Sequence, residues 1–166
     1  KSTVLLDLAH ILLDRCAVDP AASIPVVLNL STQGERYPTL EAWVTSELAR
    51  FYHVPPSIGA TWLEKSELTL LLDGLDEVPE AGRAAAVAQI NDYMRRRLHA
   101  PLAVCCREAE YAALAQEVEA GGVMRLLPLD ETQIGEYLCG LQGEAAQQVA
   151  VTLAPSDDPW SHIIAG

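Results

Sequence analysis

The chain has 166 residues, 11 Lys+Arg against 23 Asp+Glu, a formal charge of −12 and a hydrophobic content of 50%. That is room for one domain and the start of a second, with roughly two-thirds of the unfolded surface buried at this length, and the acidic balance argues against duplex nucleic acid or an anionic membrane bound through bulk charge. No run of about 18 apolar residues is present to span a bilayer, no charged-then-apolar leader is visible, and a start at Lys1-Ser2-Thr3 without Met predicts a piece cut from something longer.

The predicted elements alternate along the chain. Thr3 to about Cys16 is dense in Leu, Val, Ile and Ala and reads as a mostly buried helix. Ile24 to Leu30 is a short apolar, β-branched run, the pattern of a buried strand. Leu40 to about Tyr52 has helical spacing and is stopped by Pro55-Pro56; a short helix over Ile58 to Lys65 follows. Leu68 to Leu72 is a second buried strand ending at Asp73, and the Ala-rich stretch from Ala81 to Leu98 is a helix. Its basic end, Arg95-Arg96-Arg97, complements the helix dipole and reads as a solvated cap rather than a nucleic-acid patch. Leu102 to Cys106 is a third strand, Tyr111 to Glu119 a helix closed by Gly121-Gly122, and Val123 to Leu127 a fourth, weaker strand. From Asp130 the pattern is helical to about Leu153, with a Pro/Asp-rich break at Ala154 to Pro159. Strands alternating with helices predict a parallel sheet covered on both faces, and the end of the alternation near Leu129 predicts a boundary there.

The four cysteines, Cys16, Cys105, Cys106 and Cys139, form no CxxC pair, and the four His are scattered, so no zinc template is present. Adjacent Cys105 and Cys106 would point to opposite sheet faces. The cysteines read as buried, free thiols of a cytoplasmic protein in a reducing compartment. Trp43, Trp62 and Trp160 read as packing residues rather than base-stacking ones.

The chemistry concentrates in Leu68 to Pro79, LTLLLDGLDEVP. The strand delivers Asp73 to the carboxyl edge of a parallel sheet, where α/β proteins bind ligands. Asp73, Asp76 and Glu77 fall within five residues, and crowded carboxylates need a cation, a proton or solvent to offset their repulsion. Mg²⁺ with a phosphate ligand suits them, because Mg²⁺ takes one or two carboxylates and keeps its waters; a solvated acidic turn is the plainer reading. The second signal is Lys1-Ser2-Thr3 at the head of a helix. In a phosphate-binding loop a Lys neutralises the β/γ-phosphates, a Ser/Thr hydroxyl binds Mg²⁺ and the helix N-terminus receives the anion. Ser and Thr are also ordinary helix caps, but paired with an acidic strand end about seventy residues on they make the two halves of an Mg-nucleotide site.

On these residues the chain resembles the NACHT domain of the STAND class of P-loop NTPases. Lys1-Ser2-Thr3 with VLLDLA looks like the end of the Walker A motif and its helix, IPVVLNLS like the next strand, and LLLDGLDEVP like the Walker B motif with its extra acidic pair. CCREAEY, Cys105 to Tyr111, looks like the sensor strand with its Arg, and LLPLDETQIGEYL, Leu126 to Leu138, is similar to the entry into the helical subdomain. The resemblance implies a three-layer α/β P-loop NTPase core over residues 1–129, lacking its first strand and glycine loop, and the start of a helical subdomain over 130–166. The absent strand would sit between those of Val104 and Val123. Gly121-Gly122, followed by a predicted strand, cannot replace the loop.

The resemblance also implies roles. Lys1 would hold the β/γ-phosphates, Ser2 would ligate Mg²⁺ and Thr3 would lie near the α-phosphate. Asp73 would hold Mg²⁺ through water. Asp76 and Glu77 would be the hydrolytic carboxylates, with Glu77 handling the attacking water. Arg107 would sense the γ-phosphate; its plainer reading is a surface ion pair with Glu108 or Glu110. Glu110 and Tyr111 would set the helix after the sensor. The cofactor would be Mg²⁺ with ATP or GTP. The parent protein would be an ATPase and a nucleotide-controlled switch that self-associates and drives an effector, with slow hydrolysis as the reset; the isolated 166 residues would bind nucleotide weakly or not at all. The alternatives are a catalytically silent nucleotide-binding scaffold and an acidic domain used only for protein contacts.

Overall fold

The structure, a computed structural model, describes residues 2–34, 36–98, 100–128, 130, 133 and 134. In chain order the elements are α1 (Ser2–Val18), β1 (Ile24–Asn29), α2 (Leu40–Tyr52), α3 (Pro56–Glu64), β2 (Leu68–Asp73), α4 (Glu80–Arg96), β3 (Leu102–Val104) and α5 (Glu108–Ala112), with 3₁₀ turns at Leu30–Thr32 and Leu75–Glu77. The strands form one parallel sheet in the order β1-β2-β3. Ile24 pairs with Leu68 and Asn29 with Asp73, while Leu70 pairs with Leu102 and Leu72 with Val104. This is the mixed α/β architecture expected, with a small, open sheet.

Alternation along the strands divides the apolar residues between two faces. Leu68, Leu70 and Leu72 join Trp43, Val44 and Leu48 of α2, Leu63 of α3, and Val87, Ile90 and Tyr93 of α4 in the main core. Each fully buried Leu contributes about 1.5–3 kcal/mol relative to its exposed state. On the opposite face Leu71 meets Leu5 and Ala9 of α1, with Val27, Ala103 and Cys105 partly buried around them. Cys106 packs against the main core, so the two adjacent cysteines do take opposite faces.

Local signals place the helix ends. Thr39 caps α2 by accepting from the Ala42 N–H at 3.2 Å, and His53, at φ 55°, turns the chain out of the helix. Pro56 then opens α3, where a missing N–H costs nothing. The Arg run at the end of α4 is half-exposed at Arg95 and Arg96 and is ion-paired as well. Arg95 pairs with Glu119 at 2.8 Å, Arg96 with Asp92 at 2.6 Å and Glu41 at 2.7 Å, and Arg97 donates to the Glu64 carbonyl at 2.7 Å. The run ties α4 to α2, to the end of α3 and to the segment of Glu119.

Three expectations are corrected. α1 is a helix but not a mostly buried one: Leu5 and Ala9 are buried, whereas Val4, Leu6, Leu8, Ile11 and Leu13 are exposed, because a single sheet face covers one stripe of the helix. The helix expected over Tyr111 to Glu119 is instead the five-residue α5, starting at Glu108. The expected strand over Val123 to Leu127 is absent. Val123 and Met124 are exposed there. A strand requires a neighbour's N–H and C=O groups, and no described strand pairs with this segment.

The chain divides into two units, residues 1–125 and 126–166. In the second, Asp130 and Gln133 cap each other: the Gln133 N–H donates to Asp130 Oδ1 at 2.8 Å and the Asp130 N–H to Gln133 Oε1 at 3.0 Å. This is the reciprocal pattern of a capping box, and Gln133 and Ile134 are helical. The continuation to Leu153, the break at 154–159, Cys139 and Trp160 lie outside the described residues. No helix among the described residues is long and apolar enough to cross a membrane.

Candidate functional site

The carboxyl ends of β1 and β2 lie side by side, which puts Asn29 next to Asp73. The chain leaves β2 through Gly74 at φ +74°, a backbone conformation that costs an L side chain roughly 1–2 kcal/mol. A Cβ there would also lie 2.8 Å from Glu77 Oε2 and 3.3 Å from Asn29 Oδ1, so the glycine makes room for the carboxylate. The turn Leu75–Glu77 follows, anchored by Leu75 in the main core and by its N–H donating to the Cys105 carbonyl at 3.1 Å. An apolar residue pinned beneath, with Asp76 and Glu77 following, forces both carboxyl groups to the strand-end side.

Each carboxylate has a partner of different chemistry. Asp73 Oδ2 accepts from the Ser2 hydroxyl at 2.6 Å, joining the head of α1 to the end of β2 across 71 residues. Asp76, with its side chain only 4% exposed, forms an ion pair with the Arg107 guanidinium, Nε lying 3.1 Å from Oδ2, and accepts a hydrogen bond from the Arg107 backbone N–H at 3.2 Å. Glu77 Oε2 accepts from Asn29 Nδ2 at 2.9 Å. The buried carboxylate thus has the cation, and the donors recorded for Asp73 and Glu77 are neutral.

Arg107 is therefore not the surface partner of Glu108 or Glu110. Glu108 pairs with Arg125, and Glu110 pairs with Arg83 at 2.9 Å. Tyr111 is partly buried against the main core, in keeping with a structural role. Thr3 is exposed on the first turn of α1, and Lys1 lies outside the described residues. Trp43 is a packing residue: it is fully buried and its Nε1 donates to Thr32 Oγ1 at 3.2 Å. Trp62 packs, partly buried, against the same core.

Two residues at the site were not anticipated from sequence. Asn29 closes β1, holds Glu77 and, through Oδ1, accepts from the Ser31 N–H at 2.7 Å. A polar residue ending an apolar strand level with Asp73 was the available signal. Arg83, on the first turns of α4, donates to the carbonyls of Asp76 at 3.0 Å and Val78 at 3.2 Å. Nothing in the local pattern distinguishes it from a surface Arg.

Among the described residues no group of three or more His, Cys, Asp and Glu side chains is arranged to hold a metal ion. One hydroxyl and one carboxylate already in contact, Ser2 and Asp73, nonetheless match the needs of Mg²⁺, which takes few protein oxygens and completes its shell with water and phosphate.

No family model matches this chain, and neither a curated protein nor a solved structure does.

Proposed function

We propose that this chain is the core of a NACHT-type P-loop NTPase that binds Mg-ATP, hydrolyses it slowly, and uses the exchange as a switch for self-association and effector activation. The observation that carries the reading is the Ser2–Asp73 hydrogen bond. Residues 71 positions apart, one heading a helix and one ending a strand of a parallel sheet, converge as hydroxyl and carboxylate. A P-loop Ser and a Walker B Asp share one Mg²⁺ in this way.

Each residue has a task in this reading. Lys1 and the N-terminal amides of α1 take the phosphates. Ser2 and Asp73 would hold Mg²⁺, and the ion would supply positive charge against the phosphates. Glu77, exposed and oriented by Asn29, accepts a proton from the attacking water. Arg107, its side chain 73% exposed, can leave Asp76 for the γ-phosphate, which gives ATP and ADP different contacts with the sensor segment. A ligand shifts a conformational equilibrium only through such a difference.

The test is phosphate release by the intact protein that carries this chain, with Mg-ATP at saturation. Wild type releases phosphate slowly, and Glu77→Gln binds Mg-ATP normally while release falls by about 10²-fold or more. Mg-ATP binding with no release in wild type would favour the silent scaffold instead.

A further inference from the structure

The Arg83 guanidinium has all its recorded partners in two neighbouring segments. Nη2 donates to the carbonyls of Asp76 and Val78, and Nη1 pairs with Glu110 Oε2 on α5. The side chain is only 15% exposed, and Arg83 Nε is buried without a hydrogen-bond partner. The residue also lies near the N-terminus of α4, where the helix dipole disfavours a cation. A buried cation in that position is costly unless its hydrogen bonds are made. Those of Nη1 and Nη2 are made, to the segment of Glu110 and to the acidic turn.

The two carbonyls bracket Glu77: one belongs to the peptide entering it, the other to the residue that follows. Arg83 therefore fixes the main chain on both sides of Glu77, while Asn29 fixes its carboxylate. The partner on α5 adds a second link. Arg107 and Glu110 start the same short helix, with the Tyr111 N–H bonded to the Arg107 carbonyl at 2.8 Å. Arg107 grips the turn by the Asp76 carboxylate, and Glu110 grips it through Arg83 by the main chain.

We infer that Arg83 is a positioning residue: together with Glu110 it holds the Asp76–Val78 main chain in place when Arg107 exchanges Asp76 for the γ-phosphate. Without it, release of Asp76 would let the turn drift and carry Glu77 out of line with the attacking water. The inference rests on the nucleotide reading above for its kinetic consequence, but the clamp exists without nucleotide.

The test has two arms on the intact protein. In Mg-ATP hydrolysis, Arg83→Met, which keeps the apolar stem, lowers kcat by about 10- to 100-fold, the scale of a 1 Å misplacement, and leaves KM unchanged. Arg83→Lys, which cannot reach three acceptors with a planar fork, recovers part of the loss. In nucleotide-free hydrogen exchange, Arg83→Met and Glu110→Gln both speed exchange at the amides of Glu77, Val78 and Tyr111, with the Ile90 amide unchanged. A wild-type kcat in Arg83→Met overturns the inference, as does a parallel loss of kcat, Mg-ATP affinity and Ile90 protection, the mark of a general folding role. If wild type does not hydrolyse ATP, the proposed function fails with it. The exchange arm then decides the clamp alone: unchanged Glu77 and Val78 amides overturn it, and faster ones support it.

Discussion

On one face of the sheet, Leu68, Leu70 and Leu72 meet side chains from α2, α3 and α4; on the other, Leu71 meets Leu5 and Ala9 of α1. The candidate site is assembled from both faces. Its acidic turn is rooted in the thick face through Leu75 and Val78 and is bracketed by Arg83 from α4. Ser2 arrives from the thin face, where many of the apolar side chains of α1 are exposed. The groups proposed to handle the attacking water thus sit on the well-packed side. Of the groups proposed to hold the Mg-phosphate, Ser2 heads α1 and Asp73 ends β2, and a hydrogen bond joins the two. The division suits a switch, in which chemistry needs fixed geometry and nucleotide exchange needs an element free to shift.

The largest expected effect compares the faces directly. Leu70→Ala removes a fully buried side chain from the thick face and should cost toward the upper part of about 2–5 kcal/mol. Leu5→Ala should fall at the lower end of that range, because α1 can settle onto the sheet and close the gap. Urea unfolding of both variants, read at equal m-values, gives the two numbers. Equal losses would remove the distinction between the faces.

Gly74→Ala comes next. The positive φ alone costs roughly 1–2 kcal/mol, and the added Cβ pushes on Glu77 Oε2. Its melting temperature should drop modestly while phosphate release drops steeply. A fall in stability with turnover intact would mean that Glu77 does not need its place over Gly74.

The smallest effect concerns Tyr93. Its ring lies in the thick core and its hydroxyl is buried without a hydrogen-bond partner. Burial raises its pKa above the ordinary 10.0, opposed by nearby Arg97 and aided by Glu41. A raised pKa in the folded state means that the protonated form is the one folding favours. That contribution is complete below pH 10 and is lost as pH rises through the folded value. Tyr93→Phe should be neutral or stabilising by up to about 1 kcal/mol at pH 7. It should also lose less stability than wild type above pH 10, as pH-dependent melting would report.

What sequence reading could reach follows from the range of the forces involved. β1 and β2 are legible because Ile24 to Leu28 and Leu68 to Leu72 are short, mainly apolar runs, the pattern of strands buried on both faces. The acidic turn is legible because Asp73, Asp76 and Glu77 are close in sequence. Val123 to Leu127 misleads because an apolar run carries no information on whether a neighbouring edge exists. α1 misleads in a similar way: its apolar residues circle the helix, and the pattern cannot say that one stripe alone is covered. The partners of the carboxylates are the least legible part. Asn29 meets Glu77 across 48 residues, Arg107 meets Asp76 across 31 and Arg83 meets Glu110 across 27, and these pairings are fixed by the parallel register rather than by any local motif.

The central claim is that Ser2 and Asp73 share the Mg²⁺ of a bound nucleotide, and Mg-ATP binding by the intact protein tests it most directly. Calorimetric titration should show ATP binding that requires Mg²⁺, weakened at least about 10-fold by Asp73→Ala, with the fold retained by circular dichroism. Binding that is indifferent to Mg²⁺ and to Asp73→Ala, or no binding at all, would contradict the account.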